Sequence, residues 1–101
     1  MNNDFNSKTA KEIVLNIAAN LGRLTDCVIV GKSEPISRII EETEGYLREL
    51  EVVQRSREFE KTFKLFKFSF EKLKQSKHLD YDWAETALTW SSILTHRAKL
   101  A

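Results

Sequence analysis

Residues 51–70 read EVVQRSREFEKTFKLFKFSF, and whether this stretch is one helix or the meeting of two decides the fold. It contains neither Gly nor Pro, so composition alone permits a continuous rod. Periodicity does not. Upstream, Ile36, Ile39, Ile40, Thr43, Tyr46, Leu47, Leu50 and Val53 fall on one stripe; downstream, Phe59, Phe63, Phe66, Phe70 and Leu73 fall on another. At about 100° per residue, the step from Ile36 to Phe59 leaves about 140° after whole turns. The first stripe then centres near about 330° and the second near about 130°, almost opposite sides of a single rod. A turn within residues 54–58 lets both face one core, with Ser56 a candidate cap.

Upstream of this turn, Ser33-Glu34-Pro35 reads as the start of the second helix, since proline is tolerated in the first turn and serine accepts from unpaired amides. Helix one opens at Thr9, with Glu12 at the spacing of a capping box. Ala10, Ile13, Val14, Ile17, Ala18, Leu21, Leu24 and Val28 share its face, and Gly31 is a natural stop. The β-branched run Cys27-Val28-Ile29-Val30 could form a short strand, but no partner strand is legible, which favours a helix end.

In the last segment, Asp82 followed by Glu85 has the spacing of an acidic capping box. Trp83, Ala84, Ala87, Leu88, Trp90, Ser91, Leu94 and Ala98 are expected inward. The small members allow a close approach to a neighbour, with the two indoles filling space beside it. The helices expected are residues 9–29, 34–54, 57–77 and 82–99, in one helical domain over 1–101. Short connections make an all-α, up-and-down four-helix bundle the economical fold, a dimer of helical hairpins being the alternative. Glu34–Arg38, Glu44–Arg48, Glu51–Arg55 and Glu60–Lys64 stand acid-first at i,i+4, each adding about 0.3 kcal/mol to a helix.

The chain has 101 residues, 42% hydrophobic and 31% charged, with 3 Gly, 1 Pro and 1 Cys. A lone cysteine excludes an internal disulfide framework and suits a reducing, cytoplasmic compartment. Met1 to Asn6 lacks a basic leader region, and no run of about 18 apolar residues offers a membrane span. A net charge of +1 excludes a uniformly polybasic binder, but it hides an uneven layout. Residues 34–58 hold four basic and seven acidic side chains, whereas residues 59–78 hold six and two. An acidic second helix antiparallel to a basic third predicts attraction within the bundle.

Chemistry-bearing motifs are sparse. Gln75 and Ile93 occupy the positions where a Glu-x-x-His metal motif needs acids before His78 and His96, and both histidines read as surface residues. No arginine stands four to six residues before either histidine, so the likeness to helical-bundle ribonucleases is one of architecture and implies no activity. Small helical mutases hold dicarboxylates with buried arginines, whereas Arg48 and Arg57 lie off the stripes. Arg97, at the edge of one, reads as reaching out from the rim unless a pocket joins it to a carboxylate. Cys27 reads as an inert buried thiol, Thr43 and Tyr46 as stripe residues whose hydroxyls need partners, and the isolated glycines form no phosphate loop. No cofactor, metal or enzymatic activity is expected.

The remaining signal is apolar residues off their stripes: Phe68, about 180° from the Phe59 line, with Leu15, Ile29, Val52 and Ile93. Together they predict a second buried surface, and the reading is a bundle that works by association, as a homodimer or an adaptor for another protein. Leu65, Phe68, Lys61, Lys64 and Lys72 are the expected contact patch. The alternative is nucleic-acid binding through the lysine face of residues 61–77.

Overall fold

In the computed structural model, which describes residues 8–32 and 35–101, the chain is all-α, with no strand among the described residues. Four helices, α1 (Ala10–Ile29), α2 (Ile36–Val52), α3 (Glu60–Gln75) and α4 (Tyr81–Arg97), are supplemented by 3₁₀ turns at Arg57–Phe59 and Ala98–Leu100. α1 packs most extensively on α4 and next on α2. The expected capping box is present: Thr9 accepts from the Glu12 amide, and the Glu12 carboxylate accepts from the Thr9 amide at 2.8 Å. α1 continues through Ile29, so Cys27-Val28-Ile29 is helix rather than strand, and Gly31 follows at φ +79°, where a side chain would be strained. Ser33, Glu34 and the Glu34–Arg38 pair lie outside the described residues.

The helix break falls within residues 54–58, as the phase of the two stripes requires, and Ser56 stands at the N-cap position of the 3₁₀ turn, but its side chain makes no capping bond there. Its amide donates to the Ala101 carbonyl at 2.9 Å and its hydroxyl to the Leu100 carbonyl, which joins the turn to the end of the chain. Arg55 does the capping. One guanidinium nitrogen donates to the Leu50 carbonyl at the end of α2, and the fork grips Glu60 at 2.7 and 3.2 Å at the start of α3. The same group lies 4.5 Å from the centre of the Phe63 ring. One residue thus satisfies an orphan carbonyl, pairs with the next helix and covers the core.

Of the expected i,i+4 pairs, none closes to within 4.0 Å among the described residues, although Glu51 still attracts Arg55 and Lys64 attracts Glu60; the acids make their close contacts elsewhere. Glu60 takes Arg55, Glu51 takes Lys67 at 2.7 Å, and Glu44 takes Lys74. The last two join acidic α2 to basic α3, so complementarity between these helices is a contact in the fold.

Along the α1/α4 seam the chains run antiparallel and close. Ser91 donates to the Ala18 carbonyl at 2.8 Å, Thr25 to the Ala84 carbonyl at 3.2 Å, and Gly22 stands opposite the Ser91 hydroxyl. This closeness corrects one expectation: Leu88 is 51% exposed, because the narrow seam admits Ala84, Ala87 and Ser91 and leaves the larger side chain outside. The start of α4 differs as well. Asp80, not Asp82, is the N-cap and accepts from the Trp83 amide at 2.9 Å, so the helix begins with Tyr81.

On the other side, Phe59, Phe63, Phe66, Phe70 and Leu73 of the α3 stripe are all buried. Trp83 donates to the Leu73 carbonyl at 3.0 Å and Trp90 to the Ser69 hydroxyl at 2.8 Å, so both indoles are satisfied, Trp83 buried and Trp90 half-buried. Buried Thr43 donates to the Ile39 carbonyl and accepts from Asn20, while Tyr46 is half-buried with Lys8 over its ring. Asn20 is buried in this network and also bonded to Glu42 and Arg23.

These contacts predict how stability responds to pH. Hydrogen bonds from Thr9 and from Arg55 hold the Glu12 and Glu60 carboxyls below their ordinary value of 4.5. A lowered folded value means that the unfolded chain binds these protons more readily, so their contribution is full above 4.5 and is lost as pH falls through the folded values. Urea midpoints followed from about pH 6 to about pH 3 should fall, and Glu60→Gln should flatten part of that fall. Lys74 behaves oppositely: Glu44 holds its ammonium above 10.5, so its contribution persists below that value and is lost at higher pH.

Candidate functional site

Because α3 buries its phenylalanine line in the common core, the residues about 180° away must face outward. Phe68 is 64% exposed and Leu65 53%. Lys61, Lys64 and Lys72 are exposed beside them, and the Lys72 ammonium sits 4.6 Å from the centre of the Phe68 ring. At positions 61, 65, 68 and 72 the face repeats at i, i+4, i+7 and i+11, one continuous row about 17 Å long. The five residues expected to form a contact patch therefore lie together on one helix face.

The row is bordered by a cleft. Between the start of α3 and the end of α4, Lys61, Thr62 and Leu65 face Trp90, Ile93 and Arg97 across about 370 Å³, with Glu58 at the rim. Leu65 and Lys61 belong to both row and cleft. Its apolar lining comes from Leu65, half-buried Trp90 and half-buried Ile93, and buried Thr62 adds a hydroxyl. Arg97 is exposed at the mouth, so it is both the rim residue that the stripe phase suggests and the wall of a pocket shared with a carboxylate. Among the described residues, Lys61 and Arg97 make no ion pair, and Glu58 holds neither of them. Two cations above an apolar notch suit an acidic segment carrying one apolar side chain.

The chain matches no protein-family model, no curated protein and no solved structure. The chemistry of the site must therefore be read from its own residues.

Ion pairing divides the six lysines of residues 61–77. Lys67 and Lys74 are held by α2, at Glu51 and at Glu44 with Glu71. Lys67 also lies over the Phe63 ring at 4.7 Å. Only Lys61, Lys64, Lys72 and Lys77 face outward without an ion pair among the described residues. The other candidates do not join the site. His78 is exposed in the turn before α4, and His96 is exposed with Nδ1 2.9 Å from the Ser92 carbonyl. Cys27 is buried, Arg48 and Arg57 are exposed elsewhere, and no three His, Cys, Asp or Glu side chains converge on a metal position among the described residues. The off-stripe residues separate too. Val52, Ile29 and Leu15 are exposed away from this face, while Ile93 is drawn into the cleft and half-buried there.

Glu58, Thr62 and Trp90 are the members of the site that the sequence does not single out as such. Trp90 reads as core, but it is only half-buried and lines the cleft where α3 and α4 face each other, a spacing that periodicity does not encode.

Proposed function

We propose that the outer face of α3, with the cleft beside it, is the docking site for another protein, and that the chain acts by this association in a cytoplasmic setting. The supporting observation is Phe68, a large aromatic residue exposed on the same row as Leu65 and bordered by lysines. Fully burying such side chains yields about 1.5–3 kcal/mol each, and aromatic anchors ringed by charge are how interfaces concentrate their energy. The partner is acidic. Lys61, Lys64, Lys72 and Arg97 call for carboxylates around an apolar contact, and the i, i+4, i+7, i+11 row suits an amphipathic helix. On this face a second copy of the chain is disfavoured, since it would set lysines against lysines.

The lysines also carry the second reading, nucleic-acid binding, which rests on fewer cations once Lys67 and Lys74 are committed to α2. One comparison separates the two. The chain is recovered from its native cells at about 50 mM salt, with and without nuclease, beside a variant carrying Leu65→Glu and Phe68→Glu. An acidic protein should accompany the chain, survive nuclease and be lost with the variant, whose helical circular dichroism stays unchanged. Equal recovery by both chains, or recovery only of nuclease-sensitive material, would overturn the docking reading.

A further inference from the structure

A second exposed apolar surface lies on the opposite side of α4, along the outer edge of the α1/α4 seam. Leu15, Ala19 and Ile29 of α1 are exposed beside Tyr81, Leu88 and Ser92 of α4. Between Leu15 and Gly22 on this edge no charged side chain intervenes, and the charges stand at its two ends. Exposed Lys11 and Lys99 occupy one end together with Glu12, which is bonded to Thr9, and exposed Asp26 and Glu85 the other together with Lys32. The acidic end carries a groove of about 190 Å³ whose walls are Ile29, Tyr81 and Leu88 with those two acids.

The spacing of these charges has a symmetry. Lys11 and Asp26 are about 22 Å apart along α1, and Glu85 and Lys99 about 21 Å apart along α4 and its final turn. Their midpoints fall at residues 18–19 and at residue 92. The Ser91 hydroxyl donating to the Ala18 carbonyl places those midpoints at the same level of the bundle. A two-fold axis in the plane of the face, perpendicular to the helices at that level, therefore lays α1 on α1 and α4 on α4, each antiparallel. It brings Lys11 onto Asp26 and Lys99 onto Glu85.

We propose that a second copy of this chain covers this face, with Lys11 reaching the partner's Asp26 and Lys99 the partner's Glu85. The lysine stems lie in the Ile29–Tyr81–Leu88 groove while their ammonium groups meet the acids at its wall. Ala19 and Ser92 sit at the axis, where small side chains let two helices approach closely. Asp26 is 4.0 Å from Lys32, at the limit of an ion pair with both groups half-exposed, which leaves its carboxylate accessible to a second cation. Two helices about 10 Å wide over about 27 Å, from Lys11 to Ile29, offer a face of about 500 Å² in projection, on the scale of the accessible area of about 800 Å² per partner in a standard dimer. The α3 face is left free, so this association and the docking reading stand or fall separately.

Sedimentation equilibrium on the full chain tests it. The chain should be dimeric at micromolar concentration. Ala19→Glu, which sets a carboxylate against its own copy at the axis, should raise the dissociation constant about 100-fold. Lys11→Glu should raise it about tenfold, and adding Asp26→Lys to the same chain should restore it, because each copy then supplies both reversed charges. All these positions are exposed, and circular dichroism checks that the helices persist. A monomer at about 200 μM would overturn the proposal. So would a dimer unaffected by Ala19→Glu, or one dissociated by Phe68→Glu instead.

Discussion

Phe66→Ala should lose about 3–5 kcal/mol of folding stability, a large part of the 5–15 kcal/mol (about 0.1 per residue) that holds a domain of this size together. Phe66 is buried between α3 and α4, its ring 5.6 Å from that of Phe70 and 5.3 Å, edge-on, from that of Trp90. Removing it deletes the transfer energy of the ring and leaves a cavity that neighbouring aromatics cannot fill without leaving their rotamers. In urea titrations the midpoint should fall with the slope unchanged. Phe68→Ala, only two residues away, should change stability by less than about 0.5 kcal/mol, because that ring is mostly in solvent. Equal losses at the two positions would contradict the assignment of one phenylalanine to the core and the other to an interface.

Arg55→Ala should cost about 2–3 kcal/mol, far more than the loss of an ordinary surface charge. The substitution removes a two-point grip on Glu60, leaves the Leu50 carbonyl at the end of α2 without its cap and uncovers the Phe63 ring. Arg55→Lys should recover less than half, since an ammonium keeps the charge but cannot span Glu60 and the carbonyl with one planar group. A double-mutant cycle with Glu60→Gln should show a favourable coupling between the two side chains. A loss below about 0.5 kcal/mol would mean that the turn is held by packing alone.

The turn at residues 54–58 also shows how far sequence reasoning reaches. The phase difference between the Ile36 and Phe59 stripes locates the break, because burying two apolar stripes in one core is a constraint on the whole chain. Phase says nothing of which side chain closes the turn. Ser56 fits by residue type, yet Arg55 caps the helix, because its reach covers a carbonyl five residues back and a carboxylate five residues on. Leu88 fails for a related reason. Its angular position is inward, but the closeness of α1 and α4 depends on Ala18, Gly22 and Ser91 meeting across the seam, a matter of tertiary registration. At the site, Phe68 and Leu65 are legible because they violate the stripe of their own helix. The cleft beside them is not, since Trp90, Ile93 and Arg97 reach Leu65 only through the spacing of α3 from α4.

The most direct measurement of the docking account uses a photoreactive phenylalanine analogue placed in living cells at Phe68 or, as a control, at Val52, which is 83% exposed on another face. Irradiation should join position 68, and not position 52, to another acidic protein, and the adduct should disappear when Lys61→Glu and Lys72→Glu are introduced together. Equal labelling at the two positions, no adduct at Phe68, or an adduct consisting only of nucleic acid would contradict it.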